Sequence, residues 1–437
     1  MSAHRLTDRP LDIVLVLDHA FVSGGQAKVA LDSALGLKNC GHNPIIFAAV
    51  GPIDPALQEA GIEVVCLGQN DLLGQSRLSA AWQGIWNAAA ARALADLLAR
   101  HSGENTIVHV HGWAKALSPA IAGPIRASGL PSVYTLHEYF LFCPNGGFYD
   151  YRANEVCRRK PLSAACLSTN CDARHYAHKL WRAARQVVAR DVAHLPDLFG
   201  DIITLSALAR EVVAPLVGTG VRLHHVANPV DAIDQGRKAQ PASGEVIFVG
   251  RLSAEKGTMI YAEAAARAGL LPVFIGDGPL EQEIRARYPQ ARLLGWQSFE
   301  AVRAALRAAR ALVFPSVWYE TFGLTVYEAL ACGTPVVVSD GCAGREAIIG
   351  GRNGLWFRNG DVTDLVEKLA ALRDDALVTR LSQAAYDDYW ANPLTRDRHV
   401  DALCRIYAGL AGVTGGARDG VPPRGHFLPP QAARSAS

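Results

Sequence analysis

Short apolar runs rich in β-branched residues alternate with Ala- and Leu-rich stretches of helical period along most of the chain. That alternation predicts an α/β fold in which parallel sheets are covered by helices on both faces. In the first half the strand-like runs are Asp12 to Leu17, Pro44 to Ala49, Ile62 to Leu67, Thr106 to His111, Ser132 to His137 and Asp201 to Leu205, with helical stretches such as Ser79 to Arg100 between them. Asp231 to Gly244 is polar, contains Gly and Pro, and loses the apolar period, so it reads as a linker. A second series follows: Glu245 to Val249, Pro272 to Ile275, Arg292 to Leu294, Ala311 to Phe314 and Pro335 to Ser339. The pattern therefore predicts two doubly wound, Rossmann-like domains, residues 1–233 and 245–412, joined by a linker at 234–244, with the last helix free to return to the first domain. Residues 413–437, rich in Gly, Pro, Arg and Ala, read as a disordered tail.

Composition narrows this picture. A chain of 437 residues exceeds what one core usually sustains, and its 50% hydrophobic and 19% charged content describes a soluble globular protein. A formal charge of +2 offers no electrostatic case for a nucleic-acid partner. The apolar run from Leu11 to Leu17 is too short for a signal core or a membrane span, so a cytoplasmic protein is the simplest expectation.

Ligands of open parallel sheets bind beyond the carboxyl ends of the strands, which directs attention to the turns there. Gly250-Arg251 ends one run and Lys256 follows in the loop GRLSAEKG, so two cations can meet adjacent phosphates. The turn Gly276-Asp277-Gly278-Pro279 lets backbone come close to a ligand. After Phe314 the chain reads PSVWYETFGLTVYEA, with Glu320 before a helix that starts near Gly323 and Glu328 inside it. The free amides at such a helix start (Phe322, Gly323, Leu324, Thr325) suit a diphosphate, while Glu320 and Glu328 can accept hydrogen bonds from sugar and ribose hydroxyls. Ordinary solvated charges and a common turn are the competing reading of each motif taken alone.

Together these motifs resemble glycosyltransferase family 4, whose hallmark is a pair of glutamates at the spacing of Glu320 and Glu328 with Phe322-Gly323 between them. The resemblance extends to the GRLSAEKG loop, to Gly276 through Pro279 and to Gly295-Trp296, and covers the chain to about Gly412, most weakly between Cys143 and Asp191. It implies a GT-B fold, two Rossmann-like domains facing each other across a cleft. It also implies a retaining transfer from a UDP-, GDP- or ADP-linked sugar to a carbohydrate or lipid-linked acceptor, as in cell-envelope polysaccharide assembly, with no cofactor required. Catalysis would fall to Glu320, His137, Arg251 and Lys256. Glu320 would orient the donor sugar, Glu328 the ribose, and the loop Gly24-Gly25 would face the donor across the cleft. His111 is expected at the cleft mouth and Glu138 on the acceptor side, although a histidine at a strand end is as often structural. Asn228-Pro229-Val230-Asp231 stands where the family has Asn-Gly-Val-Asp, and no contact is assigned there.

The chain has no Asp-x-Asp triplet, so cationic side chains, rather than a clamped divalent ion, are expected to neutralise the leaving diphosphate. Two carboxylates on one segment suit a hydrolase poorly, because its acid and nucleophile must flank one bond. A non-catalytic sugar-nucleotide sensor and a GT-B isomerase or phosphorylase are the alternatives. Cys143, Cys157, Cys166 and Cys171 cluster after His137, spaced more widely than zinc knuckles; structural zinc, a disulfide and free thiols all stay open. The acid-free segment Arg174 to Arg190 could meet anionic lipid on the inner face of the plasma membrane, or an anionic, lipid-diphosphate-linked acceptor, through bases such as Lys179, Arg182 and Arg185. The alternative is a solvated basic face, with Leu180, Trp181, Val187 and Val188 packed inward.

Overall fold

Parallel strands between two helix layers must be apolar on both faces, and the strands of this chain are. The computed structural model describes residues 9–101 and 103–412; the expected tail lies outside them. In the first half the strands are β1 Asp12–His19, β2 Asn43–Val50, β3 Glu63–Cys66, β4 Thr106–Val110 and β5 Ser132–Thr135, then a two-residue antiparallel ribbon, β6 Tyr149–Asp150 with β7 Glu155–Val156, then β8 Asp201–Thr204 and β9 Arg222–His225. All but the ribbon join one parallel sheet of order β3-β2-β1-β4-β5-β8-β9. The second half supplies β10 Val246–Val249, β11 Val273–Ile275, β12 Arg292–Leu293, β13 Ala311–Phe314, β14 Val336–Ser339 and β15 Gly354–Phe357. These form a parallel sheet of order β12-β11-β10-β13-β14-β15.

β9 and β15 are absent from the predicted runs. Both are edge strands with partly exposed faces, and Arg-Leu-His-His lacks the apolar run that marks a doubly covered strand. The helical stretch Ser79 to Arg100 is two helices, Arg77–Ile85 and Ala88–Arg100. It breaks because the Asn87 side chain accepts from Ala90 N and caps the second.

Each sheet has its own core on both faces. The final helix, Arg396–Leu410, gives Val400, Leu403, Cys404 and Tyr407 to the core of the first sheet. It approaches the helix Gly25–Asn39 so closely that a Cβ on Gly36 would lie 2.5 Å from Val400 Cγ2. The segment Asp231 to Gly244 lies along the second domain, where the Arg307 guanidinium donates to the carbonyls of Gln235 and Gly236.

In the basic helix, Tyr176–Val187, Lys179 and Arg185 turn inward and part of the apolar side turns outward, the reverse of the orientation expected from the sequence. Lys179 is 1% and Arg185 3% exposed, whereas Leu180 and Val187 are 45% and 40% exposed. Lys179 Nζ donates to Cys171 Sγ at 3.1 Å and Cys166 Sγ at 3.4 Å, and Arg185 donates to the Ala114 carbonyl while stacking on Trp113, Phe140 and Trp181. Arg182 reaches Asn145 and lies 3.4 Å from Asp172. The cations satisfy buried acceptors and aromatic faces, so the apolar stripe is the one left outside.

The cysteine cluster is likewise settled by Lys179. All nine cysteines are free thiols, which excludes the disulfide, and among the described residues no three His, Cys, Asp or Glu side chains converge to hold a metal. The Lys179 ammonium sits between Cys166 and Cys171, Cys157 accepts from Arg159, and Cys143 is buried.

Candidate active site

The carboxyl ends of the two sheets face a shared cavity of about 350 Å³. Its second-domain wall includes Gly250, Arg251, Lys256, Ser316, Trp318, Glu320, Phe322, Gly323, Leu324 and Thr325. Gly25, Gln26, Lys115, His137, Glu138 and Asn228 belong to its first-domain wall. Two further hollows of comparable volume, about 420 and 430 Å³, lie against edge strand β9 and against the helix Phe299–Ala308, and neither is walled by loops of both sheets.

Lys256 is delivered by a tightly specified loop. Gly257 is left-handed (φ +68°), and a Cβ there would lie 1.9 Å from the Pro315 carbonyl oxygen, so the loop rests directly on the backbone that leads to Glu320. Thr258 and Ser253 exchange hydrogen bonds across the turn. Lys256 Nζ then meets Glu320 Oε1 at 2.5 Å, while Glu320 Oε2 accepts from Ser316 Oγ at 2.8 Å and Trp318 Nε1 at 3.3 Å. Arg251 lies exposed on the same wall, its guanidinium with no hydrogen-bond or ion-pair partner among the described residues. The helix Leu324–Ala331 begins at left-handed Gly323 (φ +91°), so the free amides of its first turn face the cavity.

Gly276 and Gly278 are not cavity residues. A Cβ on Gly276 would lie 2.1 Å from the Gly250 carbonyl oxygen, and one on Gly278 2.4 Å from that of Leu252. The expected close approach is therefore to backbone: these glycines press against the segment that carries Arg251, and Leu252 N donates to Asp277 O. Gly24 is not among the lining residues, whereas Gly25 is, and a Cβ there would lie 3.5 Å from Leu324 Cδ1 across the cavity. Glu328 is half-buried outside the cavity wall. Burial pushes its carboxyl up, against the opposing pull of Lys28.

His111 is not at the cleft mouth. It is 1% exposed and stacks between His109 and His137. His111 Nδ1 lies 3.0 Å from His137 Nε2, and His109 bridges Tyr407 Oη and Thr135 Oγ1. His111 Nε2 is buried without a partner. A bare lone pair is a cheaper orphan than a stranded N–H, which assigns the proton of His111 to Nδ1. His137 then accepts at Nε2 and keeps its own proton on Nδ1. Burial holds all three imidazoles neutral, with the pKa of His137 lowered to about 3. Burial also raises the Glu138 carboxyl, against the pull of Lys115. The His111→Phe variant should keep the stack, lose the hydrogen bond and lower turnover by about tenfold with little change in KM, measured by steady-state kinetics.

A neutral buried imidazole also links stability to pH. Below about pH 6.5 the unfolded chain binds protons that His109, His111 and His137 exclude when folded, so their contribution is complete above 6.5 and is lost as pH falls toward 3. Glu138 and Glu328, raised by burial, oppose this above the ordinary carboxylate range. Urea unfolding should give lower stability at pH 5.5 than at pH 7.5; equal midpoints would contradict buried neutral histidines.

Sequence reasoning missed Gln26, Lys115, Ser316, Trp318, Thr321 and Asn228. Asn228 is 5% exposed, lines the cavity and has an unpartnered Oδ1; its motif was visible, but no contact was assigned to it. Thr321 Oγ1 donates to the His137 carbonyl at 2.9 Å, and Glu346 accepts from the amides of Ala207 and Leu208, so the two domains are hydrogen-bonded at His137 and at the start of the helix Ala207–Val213.

Two parallel-sheet domains facing each other across such a cavity define the GT-B glycosyltransferase fold. The chain aligns over its length with solved structures of this class. A glycosyltransferase from Rickettsia africae ESF-5 gives TM-score 0.63 at 15% identity, covering 92% of this chain and 98% of that one. Anabaena HepE in complex with UDP and glucose gives TM-score 0.62 at 15% identity, covering 91% and 100%. The model of Glycosyltransferase Family 4 matches residues 23–232 and that of Glycosyl transferases group 1 matches residues 243–375. The chain belongs to glycosyltransferase family 4. A glycogen synthase of Mycobacterium tuberculosis is 29% identical over 295 residues, 64% of this chain and 63% of the relative, so the match spans less than two thirds of that protein. A GDP-mannose-dependent alpha-mannosyltransferase of Corynebacterium glutamicum is 30% identical over 175 residues, 38% and 40% of the two chains.

Proposed function

We propose that the protein is a retaining glycosyltransferase that moves a sugar from a nucleoside diphosphate to a carbohydrate or lipid-linked acceptor without a divalent metal. The supporting observation is one cavity in which Arg251, Lys256 and the amide end of the helix Leu324–Ala331 face Gly25 and His137 of the other domain. As the glycosidic bond breaks, negative charge gathers on the diphosphate. Lys256, held by Glu320, and the helix start are fixed before the reaction to receive it, and exposed Arg251 stands on the same wall, which puts positive potential where electrostatic catalysis gains most.

Glu320 fixes Lys256 and, with Ser316 and Trp318 also donating to it, offers its one remaining lone pair to a hydroxyl of the donor sugar. His137, neutral and with a free Nδ1–H, acts as a hydrogen-bond donor to the sugar and not as an imidazolium acid. The acceptor enters beside Lys115 and Glu138, and its hydroxyl attacks the front face of the anomeric carbon while its proton passes to the departing phosphate oxygen. Glu328 lies outside the cavity wall, so its contact with the ribose requires the site to adjust around the donor.

The test is release of nucleoside diphosphate from UDP-, GDP- and ADP-linked sugars by the purified chain, with and without EDTA. Turnover of at least one donor that survives EDTA supports the reading. Binding of donors without turnover, in the presence of acceptor mixtures, would move the protein to a sensor.

A further inference from the structure

Two neighbouring helices of the first domain leave their apolar sides in water. On Arg77–Ile85, Leu78 is 86% and Trp82 77% exposed, and Leu73, in the turn before it, is 75% exposed. On Tyr176–Val187, the exposed stripe is Tyr176, Leu180 and Val187, spaced four and seven residues apart and so on one side of the helix. The helices are packed together: Trp181 Nε1 donates to the Ala81 carbonyl at 3.0 Å, and the Trp181 ring fills the space beside Gly84. A tryptophan exposed to this extent near two exposed leucines is unusual on a soluble surface, and here the opposite face of the second helix has taken its cations inward.

Cations predominate around this face. Neither helix contains Asp or Glu, and Arg77, Arg152 and Arg174 are exposed at their amino ends, where the Arg152 guanidinium donates to the Arg174 carbonyl. The nearest acid in the preceding turn, Asp71, has its carboxylate engaged by the amides of Leu73 and Gly74. Two such cationic faces would repel one another, which disfavours a second copy of the chain, whereas anionic headgroups over an apolar layer complement both features. Among the described residues no helix is long and apolar enough to cross a membrane, so the contact is with a surface.

The face adjoins the cavity. Leu72 N donates to the carbonyl of the cavity-wall residue Lys115 at 3.0 Å, and Gln83 Nε2, on the first helix, donates to that of the next residue, Ala116.

We propose that Leu73, Leu78, Trp82 and Leu180 form a docking face for an anionic lipid bilayer, which sets the first-domain mouth of the cavity at the membrane surface. Its value for catalysis rests on the glycosyl-transfer reading above, since an acceptor held in the same bilayer would be delivered beside Lys115 and Glu138; the binding itself does not.

The experiment is co-sedimentation of the full chain with vesicles of phosphatidylcholine alone or with phosphatidylglycerol added, in parallel with nucleotide-sugar turnover in solution. The full chain should pellet with the anionic vesicles and release from them as salt rises. The pair Leu78→Ser and Trp82→Ser should reduce vesicle affinity by about tenfold, the scale of losing two partly inserted side chains. It should leave the urea midpoint and turnover of a soluble donor unchanged. Arg77→Glu, as a second variant, should weaken binding only to the anionic vesicles. Failure of the unmodified chain to pellet, or undiminished binding by the paired variant, overturns the docking face. So does a dimer that the same pair dissolves in sedimentation velocity, which would assign the face to a second copy. Loss of soluble turnover with intact vesicle binding would instead count against the proposed reaction.

Discussion

Lys256→Ala should lower turnover by at least about 10²-fold, the scale for removing one electrostatic contact to a developing charge. Two effects coincide at this residue. The diphosphate loses a cation, and Glu320, whose side chain is only 13% exposed, loses its 2.5 Å partner and is left with two weaker donors. Glu320→Ala should cost a comparable factor by freeing the ammonium. The double variant should then be much less impaired than the product of the two factors, because the side chains act as one unit. Arg251→Ala separates electrostatics from folding: the guanidinium has no partner among the described residues, so the urea midpoint should hold while turnover falls about 10²-fold. Near-normal rates for all three single variants would end the proposed mechanism.

Gly276→Ala should destabilise the chain by about 3 kcal/mol, combining a left-handed residue with a backbone collision. Its φ of +128° disfavours any L side chain, and the obstacle at 2.1 Å is the Gly250 carbonyl oxygen, which cannot rotate away. Relief requires the Gly250-Arg251 segment to move, so donor affinity should fall together with stability. Gly24→Ala is the control. Its φ of +153° is also unfavourable, but a Cβ there meets nothing within 4 Å, and the cost should be limited to the backbone term of about 1 kcal/mol. Equal urea midpoints for the two variants would show that the packing of the Gly276 turn does not hold the Arg251 loop.

The lesson of the helix Tyr176–Val187 is about sign. Its cations alternate with apolar residues at spacings compatible with either face turning inward, and simple amphipathicity assigns the bases to water. What reverses it lies elsewhere in the chain: two thiols that accept from Lys179, and the Trp113 and Phe140 rings that cover Arg185. His111 is a similar case. Its position at a strand end placed it correctly along the chain, but whether it faced the cleft or the core was decided by His137 and by the returning Tyr407 beneath His109.

The alternating pattern and the turn chemistry were enough to specify two parallel sheets and the positions of Gly250, Arg251, Lys256, Glu320 and Gly323 at strand ends and a helix start, because strand period, turn glycines and helix initiation are set by neighbours along the chain. Tertiary structure alone decided that Lys256 closes on Glu320, that Gly276 and Gly278 support the Arg251 loop instead of lining the cavity, that Glu328 stands outside it, and that Asn228 and Lys115 belong to it. Those outcomes depend on contacts between segments tens to hundreds of residues apart, where geometry and desolvation, rather than local preference, determine which charges meet and which surfaces stay wet.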